Sequence, residues 1–161
     1  MQSEFQIGEA VIHRREGLSF IDSIVTISDN QYFLVHSKRQ SNETFYVPIE
    51  RAEGIIRKVM SEKDADQVLR YMKSVDNEYN SVTKQRRDAY KKRLSSGETL
   101  DFAYLTAQLL HHDKLLGTKD EIHLGPVDFD LLNKAKELLF DEFSITYKVE
   151  TDKMDDFIKN R

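Results

Sequence analysis

The sequence contains no cysteine. That absence excludes disulfides, iron–sulfur clusters, cysteine-based zinc sites and cysteine nucleophiles. No stretch approaches the run of about 18 apolar residues that a membrane-spanning helix needs. The opening Met1-Gln2-Ser3-Glu4-Phe5 has neither a basic region nor an apolar stretch behind it, so it does not read as a signal peptide. There is no glycine-rich phosphate loop and no G-x-S-x-G elbow. The acidic residues are scattered along segments that read as helix surfaces. Together these absences point to a soluble, cytoplasmic protein that is not an enzyme, with no cofactor and no metal expected.

What the sequence does have is charge. Of 161 residues, 32% are charged and only 39% hydrophobic. Such a composition suits two small domains better than one large core, because small domains bury a smaller fraction of their surface. The net charge of −4 argues against a protein that coats nucleic acid by bulk electrostatics. The charge is unevenly spread, however. Lys84-Gln85-Arg86-Arg87-Asp88-Ala89-Tyr90-Lys91-Lys92-Arg93 holds six cations and one anion, a local +5 that leaves −9 for the remainder.

The first 60 residues read as strands. Phe5 to Ile12 partly alternates, and Leu18 to Ile27 is β-branched and poor in helix formers. Asp29-Asn30 signals a turn before the apolar run Tyr32 to His36. Ser41-Asn42 signals another, before Thr44 to Val47 ends at Pro48. Short strands with turns about every ten residues predict a small barrel or curled sheet.

From Ser61 the period changes. Ser61-Glu62-Lys63-Asp64 resembles a capping box, and Ala65, Val68, Leu69, Met72 and Val75 recur at helical spacing. A second helix is predicted from about Ser81 to Leu94, ended by Ser95-Ser96-Gly97. A third runs from Thr99 to Gly117, with Phe102, Leu105, Leu109 and Leu116 on one stripe. Thr118 to Val127 reads as a loop, and a fourth helix is predicted from about Asp128. The expected class is therefore α+β. Residues 1–59 form a β-rich domain, 60–146 a compact helical domain, and 147–161 a charged tail with a weak amphipathic turn at Met154, Phe157 and Ile158.

Two motifs could carry chemistry. His111-His112-Asp113 looks like a metal site, but adjacent helical residues point about 100° apart, and zinc-binding helices use i, i+4 spacing. A solvated helix face is the better reading. The basic helix is the stronger signal. Lys84, Arg87 and Lys91 share one face, Arg86 and Arg93 another, and its apolar positions are sparse. Such spacing lets several phosphates be met along one side of a helix, although most charge runs are only solvated surface. An edge strand ending at Val47-Pro48 offers a place for a partner's strand to pair, or simply ends there.

Four ordered segments resemble landmarks of the CarD (CdnL-like) family of bacterial transcription regulators, which shares a domain with transcription-repair coupling factors. They are Phe5-x-Ile7-Gly8-Glu9-x-Val11-Ile12-His13 with Gly17; Tyr46-Val47-Pro48-Ile49 with Gly54-Ile55 and Arg57; Arg86 through Ala89 and Lys92 to Ser96-Gly97-Glu98; and Leu131 through Lys134-Ala135-Lys136 to Leu138-Leu139 and Glu142. The resemblance implies a Tudor-like β-barrel that docks on a lobe of the RNA polymerase β subunit. It also implies a helical domain that meets promoter DNA at the upstream edge of the bubble, without strong sequence preference, and stabilises the open complex. Carried over by position, polymerase contacts fall at Ile27, Val35, Tyr46 and Pro48. DNA contacts fall at Thr83, Arg86, Arg87 and Lys134, to which the cationic face adds Lys84 and Lys91. A monomer is expected, with strand exchange between barrels as a route to a dimer.

Two departures stand out. Family members carry a tryptophan wedge where this sequence has Thr83, and the chain has no tryptophan. A threonine cannot supply a stacked apolar wedge. Ile27 and Tyr46 stand where family members often carry arginine, which weakens the case for charge-assisted docking. The competing reading is therefore a polymerase-binding adaptor with little DNA contact. The discriminating feature is whether Lys84, Arg87, Lys91 and Lys134 make a positive face or are neutralised by carboxylates from neighbouring helices.

Overall fold

The computed structural model describes residues 4–161 and divides into two compact units, one ending at Met60 and one spanning Ser61–Arg161. The first unit is a five-stranded antiparallel sheet. Its strands are β1 (Ala10–His13), β2 (Gly17–Ile27), β3 (Asn30–Ser37), β4 (Thr44–Pro48) and β5 (Ile56–Lys58). Their spatial order is β4-β3-β2-β1-β5. β2 and β3 are joined through Ser28 and Asp29, both at positive φ, one residue earlier than the expected Asp29-Asn30 turn. Two left-handed residues in succession match the right-handed twist of the flanking strands.

Two expectations for this unit need correction, and two further elements carry no sequence signal. The run from Phe5 is not a strand until Ala10, because Gly8 turns the chain at φ +88° and donates its N–H to the Ile21 carbonyl oxygen at 2.7 Å. The sheet also does not close into a barrel, since β4 and β5 are its two edges. Pro48 ends β4, and a 3-10 helix, Ile49–Gly54, carries the chain to the opposite edge. That helix has no periodic signal, yet Ala52 is buried in the core beside Phe5, Val11, Ile21, Phe33, Val35, Val47 and Ile56. Lastly, β5 is three residues long, too short for a pattern to announce.

The second unit is helical: α1 (Glu62–Ser74), α2 (Thr83–Ser95), α3 (Thr99–Leu115), α4 (Pro126–Tyr147) and α5 (Met154–Lys159). The Ser61 side chain accepts from the Asp64 N–H at 3.1 Å, capping α1 as its sequence predicts. Gly97, at φ +73°, supplies the left-handed residue beyond α2. α4 starts at Pro126, two residues before the expected Asp128, because proline is pre-set for the first helical turn. Residues 147–161 are not a free tail. Met154 and Ile158 are buried, and Arg161 pairs with Glu62 and Asp66 of α1. Their i, i+4 spacing is visible in the sequence; the long-range partners that make burial worthwhile are not.

Candidate nucleic-acid and partner interfaces

The six cations of the basic run divide by helix face. Arg86 is only 5% exposed, although its sequence context places it among the phosphate contacts. Its Nε and Nη2 donate to Asp128 Oδ1 and Oδ2 at 3.1 and 2.8 Å, and its Nη1 donates to the Asn80 carbonyl oxygen at 3.0 Å. The guanidinium also lies 4.7 Å from the Tyr79 ring centre. Such a forked, fully engaged arginine is a packing element and not a free surface cation. Asp128 sits in the first turn of α4, where a helix favours negative charge. The hydrogen bonds from Arg86 hold its carboxyl below the usual carboxylate range, against the opposing effect of burial.

Arg93 follows the same logic two turns on. Its Nη1 donates to Asp101 Oδ1 of α3 at 2.8 Å, and it stacks 3.7 Å from the centre of the Tyr104 ring. Tyr104 in turn donates to Glu78 Oε2 at 2.8 Å, and burial, with Glu78 next, pushes its hydroxyl up to about 12. Arg86, Tyr90 and Arg93, at i, i+4 and i+7, are therefore the inward face of α2. A face that carries two arginines could not announce itself as a core face by hydrophobicity.

The outward face is what remains. Thr83, Lys84, Lys91 and Lys92 are exposed, and Arg87 is about one-third exposed. Arg87 Nε lies 3.6 Å from Asp128 Oδ1, an ion-pair distance beyond hydrogen bonding. Lys134 is exposed on α4, less than two turns past Asp128. Asp88 and Asp130 are exposed on the same two helices. The site thus keeps four of its expected cations at the surface and gives up Arg86. Lys92 is not among the sequence candidates, and only its exposure recommends it.

In the sheet unit, the pleat separates the expected partner contacts. Val35 is completely buried, because it shares the core face of β3 with Phe33. It supports the surface and cannot touch a partner. Tyr46 is 56% exposed and Ile27 47% exposed, and Pro48 is half-buried. The register pairs Tyr46 with Leu34, and Pro48 with Tyr32, which itself pairs with Val25, two residues from Ile27. Ile27, Tyr46 and Pro48 therefore lie on the outer face, with Tyr32 packing edge-on against Tyr46 at 6.2 Å. Tyr32 belongs to this surface too, although its sequence signals only a strand. β4 is an edge strand, so one side of its backbone has no sheet neighbour.

His111 donates through Nε2 to the Val75 carbonyl oxygen at 2.6 Å, tying α3 to the end of α1. Among the described residues, no group of three His, Asp or Glu could hold a metal ion, and no helix is long and apolar enough to cross a membrane.

Comparison with known families finds two adjacent matches. The CarD-like/TRCF RID domain matches residues 5–60, and the CarD C-terminal domain matches residues 67–159. No curated protein matches the chain.

Proposed function

This chain belongs to the CarD family, which it matches over both units, and from that premise we propose that it is a transcription regulator docking on RNA polymerase through residues 1–59. The curled sheet is taken as the Tudor-like unit that the family resemblance implies. Its docking surface is the free edge of β4 with Tyr46, Pro48 and Ile27 on the outer face, and its target is a lobe of the polymerase β subunit. Strand addition to such an edge draws affinity from backbone hydrogen bonds and specificity from the side chains beside them. In the same reading the helical unit, residues 60–146 with α5 folded onto it, meets promoter DNA at the upstream edge of the bubble. Lys84, Arg87, Lys91 and Lys134 reach phosphates, and Thr83 stands at the tip of α2. Contact there stabilises the open complex without strong sequence preference. The protein works without catalysis or a cofactor, in the cytoplasm.

The observation that carries this reading is the unpaired β4 edge within the segment matched to the polymerase-interacting domain. The test is calorimetry of the full chain against a β-lobe fragment, beside a fork-junction DNA shift at stepped salt. A chain that fails to bind the lobe overturns it.

One observation favours the adaptor reading. Asp128 and Asp101 neutralise Arg86 and Arg93 and partly engage Arg87, so half of the basic run is spent within the helical unit. If the chain binds the lobe but leaves the fork junction unshifted at low salt, the adaptor is the correct assignment.

A further inference from the structure

A groove in the helical unit lies apart from both candidate interfaces. Leu69 and Met72 of α1, Ala107 and Leu110 of α3, and Ile158 of α5 make an apolar floor. Lys73, Lys114 and Lys159 stand at its margin, one from each helix, with Asp113 and Asp155. The groove encloses about 630 Å³, inside the range of about 300–1,000 Å³ typical of small-molecule sites. We propose that this groove binds a small anionic amphiphile, its apolar body on the floor and its carboxylate among the three lysines. The inference is independent of polymerase or DNA binding.

Three features set the ligand class. The floor is built of aliphatic side chains and a methionine, whose unbranched thioether adapts to irregular apolar shapes. Beside the charged margin, the polar side chain of the lining is His111. The margin is cationic. Lys73, Lys114 and Lys159 are exposed, and none has a carboxylate within ion-pair distance among the described residues. Asp155 is already paired with Lys136 at 3.2 Å. With Asp155 engaged by Lys136, Asp113 alone stands against the three lysines of the lining, so the margin is net positive and favours an anionic head group. His111 adds no competing donor through Nε2, which is committed to the Val75 carbonyl.

The third wall is held in place by the chain's last turn. Met154 is fully buried, and Arg161 pairs with Glu62 and Asp66 of α1. A ligand touching α1, α3 and α5 together therefore stabilises the docked state of α5, in proportion to its occupancy.

Decanoate and decanol provide the test, titrated into the full-length chain by calorimetry with methyl NMR at matched ligand concentrations below micelle formation. Saturable one-to-one decanoate binding is expected, with shifts centred on Leu69, Met72, Leu110 and Ile158. Decanol should bind about tenfold more weakly, a difference of one unit in log affinity. Lys73→Gln combined with Lys159→Gln should bring decanoate close to decanol. These lysines are exposed, so the variant's fold is checked by its unchanged spectrum elsewhere. Equal binding of the two ligands, shifts centred outside these helices, or no saturation would each overturn the proposal. The wild-type comparison of the two ligands stands even if the double variant does not fold.

Discussion

The two units solve the problem of a small core in opposite ways. The sheet unit packs Phe5, Val11, Ile21, Phe33, Val35, Val47 and Ile56 against one another, with Phe5 edge-on to Phe33 at 6.2 Å. The helical unit has an apolar cluster around Leu105, Leu109 and Leu132, but it attaches α2 to that cluster through Arg86, Tyr90 and Arg93. Apolar packing is non-directional, so it tolerates exchange of similar shapes. A buried ion pair is directional, and removing one partner strands the other's charge. The difference teaches that a cluster of cations in a sequence is not one surface. In α2 the same ten residues supply both the glue and the exposed charge.

The comparison is broken or confirmed most sharply at Asp128. Asp128→Ala leaves Arg86 buried and unpaired, and should cost the helical unit about 3–5 kcal/mol. Replacing both partners, Arg86→Met with Asp128→Leu, should recover most of that loss, because the pair is exchanged for apolar contact. Phe33→Ala should cost the sheet unit about 3–5 kcal/mol through cavity formation. Denaturant unfolding followed with probes in each unit measures both. If Asp128→Ala is mild, or the double replacement is worse than the single, α2 is not held by this ion pair.

The next effect is on DNA. Neutralising Lys84, Arg87, Lys91 and Lys134 together to glutamine should remove most binding to duplex and fork DNA. On duplex DNA, the slope of log affinity against log salt should flatten by about 0.9 for each phosphate deprived of its cation. The three lysine substitutions should each leave stability within about 0.5 kcal/mol of the parent, and the Arg87 substitution adds the loss of its 3.6 Å ion pair with Asp128. Arg86→Gln should do the reverse, lowering stability with little change in salt slope. Thr83→Trp should raise preference for the fork junction, since it supplies an apolar wedge that the parent lacks. Undiminished binding by the fourfold variant would sink the outward face as a DNA contact.

Smaller again is the partner surface of the sheet unit. Tyr46→Ala with Pro48→Ala should weaken docking on the β lobe by about tenfold, roughly 1.4 kcal/mol, while the helical unit stays folded. Val35→Ala should reduce stability and leave the affinity of the folded fraction unchanged, because Val35 faces the core. Calorimetry with the lobe fragment separates the two. Loss of affinity in Val35→Ala with normal stability would reverse the assignment of faces.

Much of this architecture is legible from local composition, turn signals and period. β2, β3 and β4 follow β-branched or apolar runs bounded by turns, and the stripes of α1 and α4 follow a 3.6-residue spacing; the α3 stripe holds at Leu105 and Leu109, whereas Leu116 lies beyond the helix and is 53% exposed. The failures are physical. Arg86 lies 42 residues from Asp128, and nothing local says that a carboxylate waits for it. Val35 resembles its half-buried neighbour Leu34 in sequence because a strand's two faces are assigned only by its partners. The 3-10 helix at Ile49–Gly54 carries one buried residue, Ala52, among charged ones. The closing strand β5 is set by pairing with β1 and not by its own three residues. Of the interface residues, Tyr46, Ile27, Lys84, Lys91 and Lys134 are where exposure is needed, and Val35 and Arg86 are not.

The smallest expected effect separates the units by acid. In the sheet unit, His13 accepts at Nδ1 from the N–H groups of Arg15 and Glu16, at 3.1 and 3.2 Å, and its ring lies 5.6 Å from that of Phe45. Burial, ahead of the opposed charges of Glu16 and Arg15, lowers its pKa from the ordinary value. The unfolded chain then takes up the proton more readily than the folded one. The stabilisation is complete above the unfolded histidine value near 6.5 and is lost as pH falls through the lower folded value. In the helical unit the depressed groups are Asp128, through Arg86, and Asp66, which Arg161 and Tyr147 hold at about 2. Their contribution persists above the usual carboxylate range near 3.9 and fails only as pH drops below it. Between pH 7 and 5 the sheet unit should therefore lose a little stability while these helical groups contribute no change. Unit-resolved thermal unfolding at stepped pH reads this, with His13→Ala as the control that flattens the sheet unit's response. A pH 7 to 5 loss that survives His13→Ala would assign it to another group.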